Sequence, residues 1–188
     1  MASAAYPILR RTMNLESEIF NYQNRSLSDL QAIRAYYESL SFERAIRGAA
    51  TGMESNLKIN SHQYRIGRKK GKVASEELFK YIDEIKHCES FEGIFEITER
   101  VRRSILGLGD LWSYDTALRI GFNLGFRPSR VYVQRGVVKG VRKLLEGYLP
   151  KGRSLPLSVF PDVLHQFEPY VVENFLCIYG KDGKNSFC

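Results

Sequence analysis

The sequence predicts a mainly α-helical protein, with at most a short extended segment. Apolar residues recur at three- and four-residue spacing through most of the chain, and several of those segments open on a serine followed by an acid. Only residues 131–133 form a clearly β-prone run, and they follow a proline turn.

The elements follow in order. SLSDLQAIRAYYESLS offers Ser28 as an N-cap, Asp29 beside the positive helix end, and Leu30, Ile33 and Tyr37 on one face. SFERAIRGAATGM places Phe42, Ala45, Ile46 and Ala49 together and stops near Gly52. Residues 56–71 lack the stripe, are basic and end in glycines, so they read as a loop or short extended connection. SEELFKYIDEI and SFEGIFEITERVRRSI return to helix, the second with Phe91, Ile94, Phe95, Thr98 and Val101 facing inward. FRPSRVYVQRG gives a turn and an extended piece before VVKGVRKLLEGYL resumes a helix. In the C-terminal part, Pro161 and Pro169 suit the first turns of two short helices. The expected organisation is one domain over residues 1–188, with frayed ends at 1–13 and 181–188.

Composition narrows the function classes. The chain of 188 residues is 44% hydrophobic, enough for a core. No run approaches the roughly 18 apolar residues of a membrane helix, and the first 15 residues lack an uninterrupted apolar signal segment. A soluble, cytoplasmic protein with no membrane partner is therefore expected. Cys88, Cys177 and Cys188 are odd in number, without CxxC spacing, and read as reduced thiols. His62, His87 and His165 are scattered, so neither a metal site nor a catalytic residue is singled out.

Charge is more informative. The net charge is +7, but residues 55–73 carry +6 and residues 119–153 carry +8, leaving −7 elsewhere. An acidic body with two basic patches is the electrostatic footprint of a polyanion binder.

Between two amphipathic segments lies ILGLGDLWSYDTALRIG. Leu108 can plug into the core while Gly107 and Gly109 take backbone angles that a side chain would penalise. Such a turn presents N–H groups to a phosphate at the start of the next helix, with Asp110 in its first turn.

Residues 105–109 resemble the hairpin of the helix-hairpin-helix DNA-binding motif, an apolar residue followed by Gly-apolar-Gly. The continuation WSYDTALRIG is similar to the segment after the hairpin in the helix-hairpin-helix DNA glycosylase superfamily, and the resemblance spans residues 90–146. It implies an all-α module that grips the DNA backbone, and it allows a monovalent cation at the hairpin; no other cofactor is expected. The departures concern catalysis. Where bifunctional glycosylases place a lysine, this chain has Asp110, Leu111 and Trp112; where the superfamily places its aspartate, it has Gln134, Arg135 and Gly136. The chemistry therefore lacks its main electrostatic element, and the hairpin is read as binding without cutting.

The expected DNA contacts are Gly107, Leu108, Gly109 and Asp110 as a clamp, with charge from Arg119, Arg127, Arg130, Arg135, Lys139, Arg142 and Lys143. His62, Arg65, Arg68, Lys69 and Lys70 form a second contact if they share a face with the hairpin. Two alternatives stand beside this reading: an adaptor recognising an acidic protein partner, and an enzyme acting on nucleic acid or phosphate through the His62/Arg65 loop.

Overall fold

The computed structural model describes residues 5–53, 66–147 and 150–181. Among them are nine α-helices: α1 (Ala5–Arg25), α2 (Leu27–Ser39), α3 (Phe42–Thr51), α4 (Gly67–Phe79), α5 (Ile82–Lys86), α6 (Phe91–Ser104), α7 (Asp110–Leu124), α8 (Arg135–Leu144) and α9 (Pro169–Tyr179). Two-residue strands β1 (Val131–Tyr132) and β2 (Ser154–Leu155) pair antiparallel, with Val131 opposite Leu155. The fold is all-α, as predicted. No helix among the described residues is long and apolar enough to cross a membrane.

Helix α7 is the strut around which the others pack, touching α2, α3 and α6. Its buried face explains why: Trp112, Ala117, Ile120 and Phe122 are almost wholly removed from water. Side-chain hydrogen bonds then fix its neighbours in register. Trp112 Nε1 donates to the Ala50 carbonyl at 2.9 Å, which ties α3. Asn123 Nδ2 donates to the carbonyls of Tyr37 and Leu40 at 2.9 and 2.8 Å, which ties the end of α2. Thr98 Oγ1, on α6, donates to the Ser113 carbonyl at 3.0 Å. Each bond satisfies a polar group that burial would otherwise penalise.

The local signals operate where expected. Ser90 caps α6 by accepting from the Gly93 N–H at 3.2 Å, and all five inward residues predicted for α6 are buried. Gly52 ends α3 in the left-handed conformation, at φ +71°. Pro169 stands at the start of α9. Tyr132 of β1 packs edge-on against Phe91 and Phe95 and near Tyr114, closing the core beneath the α6–α7 pair.

Four expectations are corrected. Helix α4 begins at Gly67, so residues 67–71 are helical rather than loop: Arg68, Lys69, Lys70 and Lys72 are good helix formers, and Ala74 and Leu78 supply a buried face that lies further along. Helix α2 starts at Leu27, after Ser26, whose side chain makes no capping hydrogen bond, so Ser28 lies inside its first turn. Helix α1 starts at Ala5, within the stretch read as frayed. Before α9, the predicted short helix is two 3-10 turns, Leu157–Val159 and Asp162–Leu164. Among the cysteines Cys88 is free, whereas Cys177 is disulfide-bonded, which also corrects the expectation of reduced thiols.

Candidate nucleic-acid interface

Residues 105–109 make the whole connection between α6 and α7. The turn closes through Leu108 N–H donating to the Ile105 carbonyl at 3.3 Å. Leu108 is 6% exposed and anchors the loop in the core, while Leu106 at the apex is 96% exposed. Gly107 adopts φ +91°, a conformation that side chains rarely tolerate. Gly109 does not: at φ −97° and ψ 169° it is extended, with open space where a Cβ would lie. The expectation that both glycines need special angles is thus corrected to Gly107 alone.

The N–H groups of Gly107, Gly109, Asp110 and Leu111 find no acceptor among the described residues, because the first intrahelical bonds of α7 start from Trp112 and Ser113, which donate to the Gly109 carbonyl. They lie at the positive end of a 15-residue helix. Facing them, the ammonium of Lys70 in the first turn of α4 occupies the space that a Cβ on Gly107 would need.

Behind the hairpin sits an ion network that the sequence reading missed. Glu99 on α6 is 3% exposed. It accepts hydrogen bonds from Arg102 (2.8 and 3.1 Å), Arg153 (2.5 Å) and Ser113 Oγ (2.5 Å), with Arg103 at 3.8 Å. Burial alone would raise this carboxyl, but the hydrogen bonds from Arg102, Ser113 and Arg153 outweigh it and hold the pKa down at about 2. Asp110 lies 3.3 Å from Arg102 and 3.9 Å from Arg153, so its charge at the hairpin is offset by two guanidinium groups. Arg153 also joins the α8 side of the molecule, since its carbonyl accepts from Val133 N–H at 2.8 Å. A buried glutamate preceding two arginines at i+3 and i+4 was the available signal.

The predicted cations divide into two groups. Arg68, Lys69, Lys70, Arg135, Lys139 and Arg142 are exposed and make no ion pair among the described residues. Arg135, Lys139 and Arg142 fall at i, i+4 and i+7 of α8 and so share one face, opposite buried Val137 and Val141. The remaining cations are engaged. Arg127 donates to the carbonyls of Gly121 and Phe126 and to Glu38 at 2.6 Å, which pins the end of α7. Arg130 donates to Ser154 Oγ at 3.0 Å. Lys143 donates to the Tyr179 carbonyl at 3.1 Å and lies over its ring.

Arg119 is the clear correction. It is 5% exposed, points into the interior and lies 3.9 Å from Asp115, one turn earlier on α7. The i,i+4 pairing anticipated for these two residues is present, and it takes Arg119 away from any surface contact. Both line a cavity of about 80 Å³ between α2, α7, α8 and α9, together with Leu111, Gln134, Tyr170 and Glu173. Burial, reinforced by the Asp115 charge, pushes the Glu173 carboxyl well above the usual carboxylate range. Leu111 of α7 and Gly136 of α8 both border this cavity. His62 and Arg65, and with them the loop read as a possible enzymatic site, lie outside the described residues.

No protein-family model, curated protein or solved structure matches this chain.

Proposed function

We propose that the protein binds DNA, largely without sequence preference, by directing the N–H groups of Gly107, Gly109, Asp110 and Leu111 at one phosphate and its unpaired cations at the phosphates on either side. The observation that carries this reading is Lys70 against Gly107: a cation from the first basic segment stands at the hairpin that opens the second. It supports a second contact through Lys70. Arg135, Lys139 and Arg142 add a basic face along α8, whose first turn borders the same cavity as the first turn of α7. Exposed cations without an internal partner are the ones able to displace counterions from DNA.

The reading is of binding and not of base excision. No carboxylate stands at residues 134–136, and Asp115 on the hairpin helix lies beside Arg119.

The test is a fluorescence-anisotropy titration of the protein against labelled mixed-sequence duplex and single-stranded DNA at two salt concentrations, with a uracil- or oxidised-base-containing duplex scored for cleavage in parallel. Salt-sensitive binding without cleavage is expected, weakened by Lys70→Ala. Absence of binding at low salt overturns the proposal and leaves an acidic protein partner as the better account of the basic surface.

A further inference from the structure

We infer that the cavity between α2, α7, α8 and α9 is a binding site for a small zwitterion, an α-amino acid of the size of glycine or alanine, with its carboxylate on Arg119 and its ammonium on Asp115. The site is separate from the hairpin surface and does not depend on DNA binding.

Arg119 is the residue that points to a ligand. It lines the cavity with its side chain only 6% exposed. Its Nη1 has no hydrogen-bond acceptor among the described residues, and its Nη2 lies 3.9 Å from Asp115 Oδ2, beyond hydrogen-bond length. Burying N–H donors without acceptors is costly. A carboxylate supplies the missing acceptors, because its two oxygens match the planar fork of a guanidinium.

Asp115 narrows the ligand class. It lines the same cavity one turn earlier on α7. A bare anion at Arg119 is repelled by this carboxylate, and a bare cation at Asp115 is repelled by the guanidinium. A molecule that carries both charges a few ångströms apart, as an α-amino acid does, complements both. On α9, burial disfavours a further negative charge on Glu173. Asn174 Oδ1 accepts from the Tyr22 hydroxyl at 2.9 Å, which leaves the Asn174 amide N–H groups as donors for a carboxylate.

Size and access set the limits. A volume of about 80 Å³ holds at least about five water-sized groups, which suits the smallest amino acids. Leu118, Phe122 and Val137 form an apolar wall that fits a methyl side chain better than a polar one. The lining grades from buried Arg119 to half-buried Ile33 and Leu111 and exposed Gly136, which gives the cavity an open side.

The experiment is isothermal titration calorimetry of the full chain with glycine, L-alanine, propionate and ethylamine, for the wild type, Arg119→Met and Asp115→Asn, with circular dichroism checking the fold. Saturable binding of glycine or L-alanine at a single site is expected, together with a rise in melting temperature. Propionate and ethylamine each lack one charge, as does each variant, so all four should bind or be bound more weakly by about tenfold or more. Absence of amino-acid binding at millimolar concentration leaves water as the occupant and overturns the site. Propionate or ethylamine binding as tightly as L-alanine overturns the zwitterion, and these two arms need only the wild type, so they decide the question even if a variant fails to fold. Unchanged affinity in the folded variants places the binding elsewhere and overturns the roles of Arg119 and Asp115.

Discussion

The ammonium of Lys70 fills the space into which a Cβ on Gly107 would project. Two local features make that approach workable: Gly107 carries no side chain, and Lys70 lies in the first turn of α4, where the chain returns toward the hairpin. The lysine makes no ion pair among the described residues, so its charge adds to the positive end of α7 rather than being cancelled. Lys70 of α4 thereby stands at the hairpin that precedes the second basic segment.

This relationship separates the two hairpin glycines. Gly107→Ala must place a side chain at φ +91° and displace Lys70, and should cost about 1–2 kcal/mol. Gly109→Ala meets an extended backbone and open space, and should be neutral or stabilising by up to about 1 kcal/mol. Urea denaturation of the two variants checks the contrast. Equal destabilisation would show that the hairpin needs glycine at both positions.

A larger loss is expected where α8 crosses α9. A Cβ on Gly140 would lie 2.7 Å from the Leu176 carbonyl carbon and 3.0 Å from its Cα, both backbone atoms that cannot move without separating the helices. A Cβ on Gly180 would meet the same crossing from the other side, 2.6 Å from the Gly140 nitrogen. Gly140→Ala should cost about 3 kcal/mol or more, and thermal unfolding followed by circular dichroism measures it. A loss within 0.5 kcal/mol, the range of about any surface change, would contradict the close packing.

The all-α class and most helices were legible because periodicity, caps and breakers act within a few residues. Ser90 as a cap, Gly52 as a stop and the buried stripe of α6 all follow from local chemistry. Leu108 as a core plug was legible for the same reason. The fates of the cations were not. Arg119 and Arg127 look identical to Arg135 in a charge count, but their partners are Asp115 inside the fold and the carbonyls at the end of α7. The Glu99 network depends on Arg153 returning from beyond α8, a long-range contact that no spacing encodes.

The cavity should be visible in the pH dependence of stability. Glu173 has a raised pKa when folded, so its contribution to stability is fully present below its unfolded value of about 4.3 and declines as pH rises above it. Glu173→Gln keeps the shape and removes the titration. The variant should match the wild type near pH 4 and melt higher at pH 8. A lower melting temperature at pH 8 would mean that the ionised carboxylate is needed beside Arg119.

Salt dependence distinguishes the unpaired cations from the engaged ones. Each phosphate contact removed lowers the slope of log affinity against log salt by about one unit. Lys70→Ala, Lys139→Ala and Arg142→Ala should each reduce the slope by up to that amount with little effect on stability, because none of these residues has an internal partner among the described residues. Arg127→Ala should behave in the opposite way. It removes hydrogen bonds to Gly121, Phe126 and Glu38, so the melting temperature should fall while the slope stays unchanged. Titrations of the four variants at several salt concentrations, paired with their melting curves, measure both quantities. If Arg127→Ala flattened the slope as strongly as Lys70→Ala, the division between interface and internal cations would fail, and with it the placement of the DNA along the hairpin and α8.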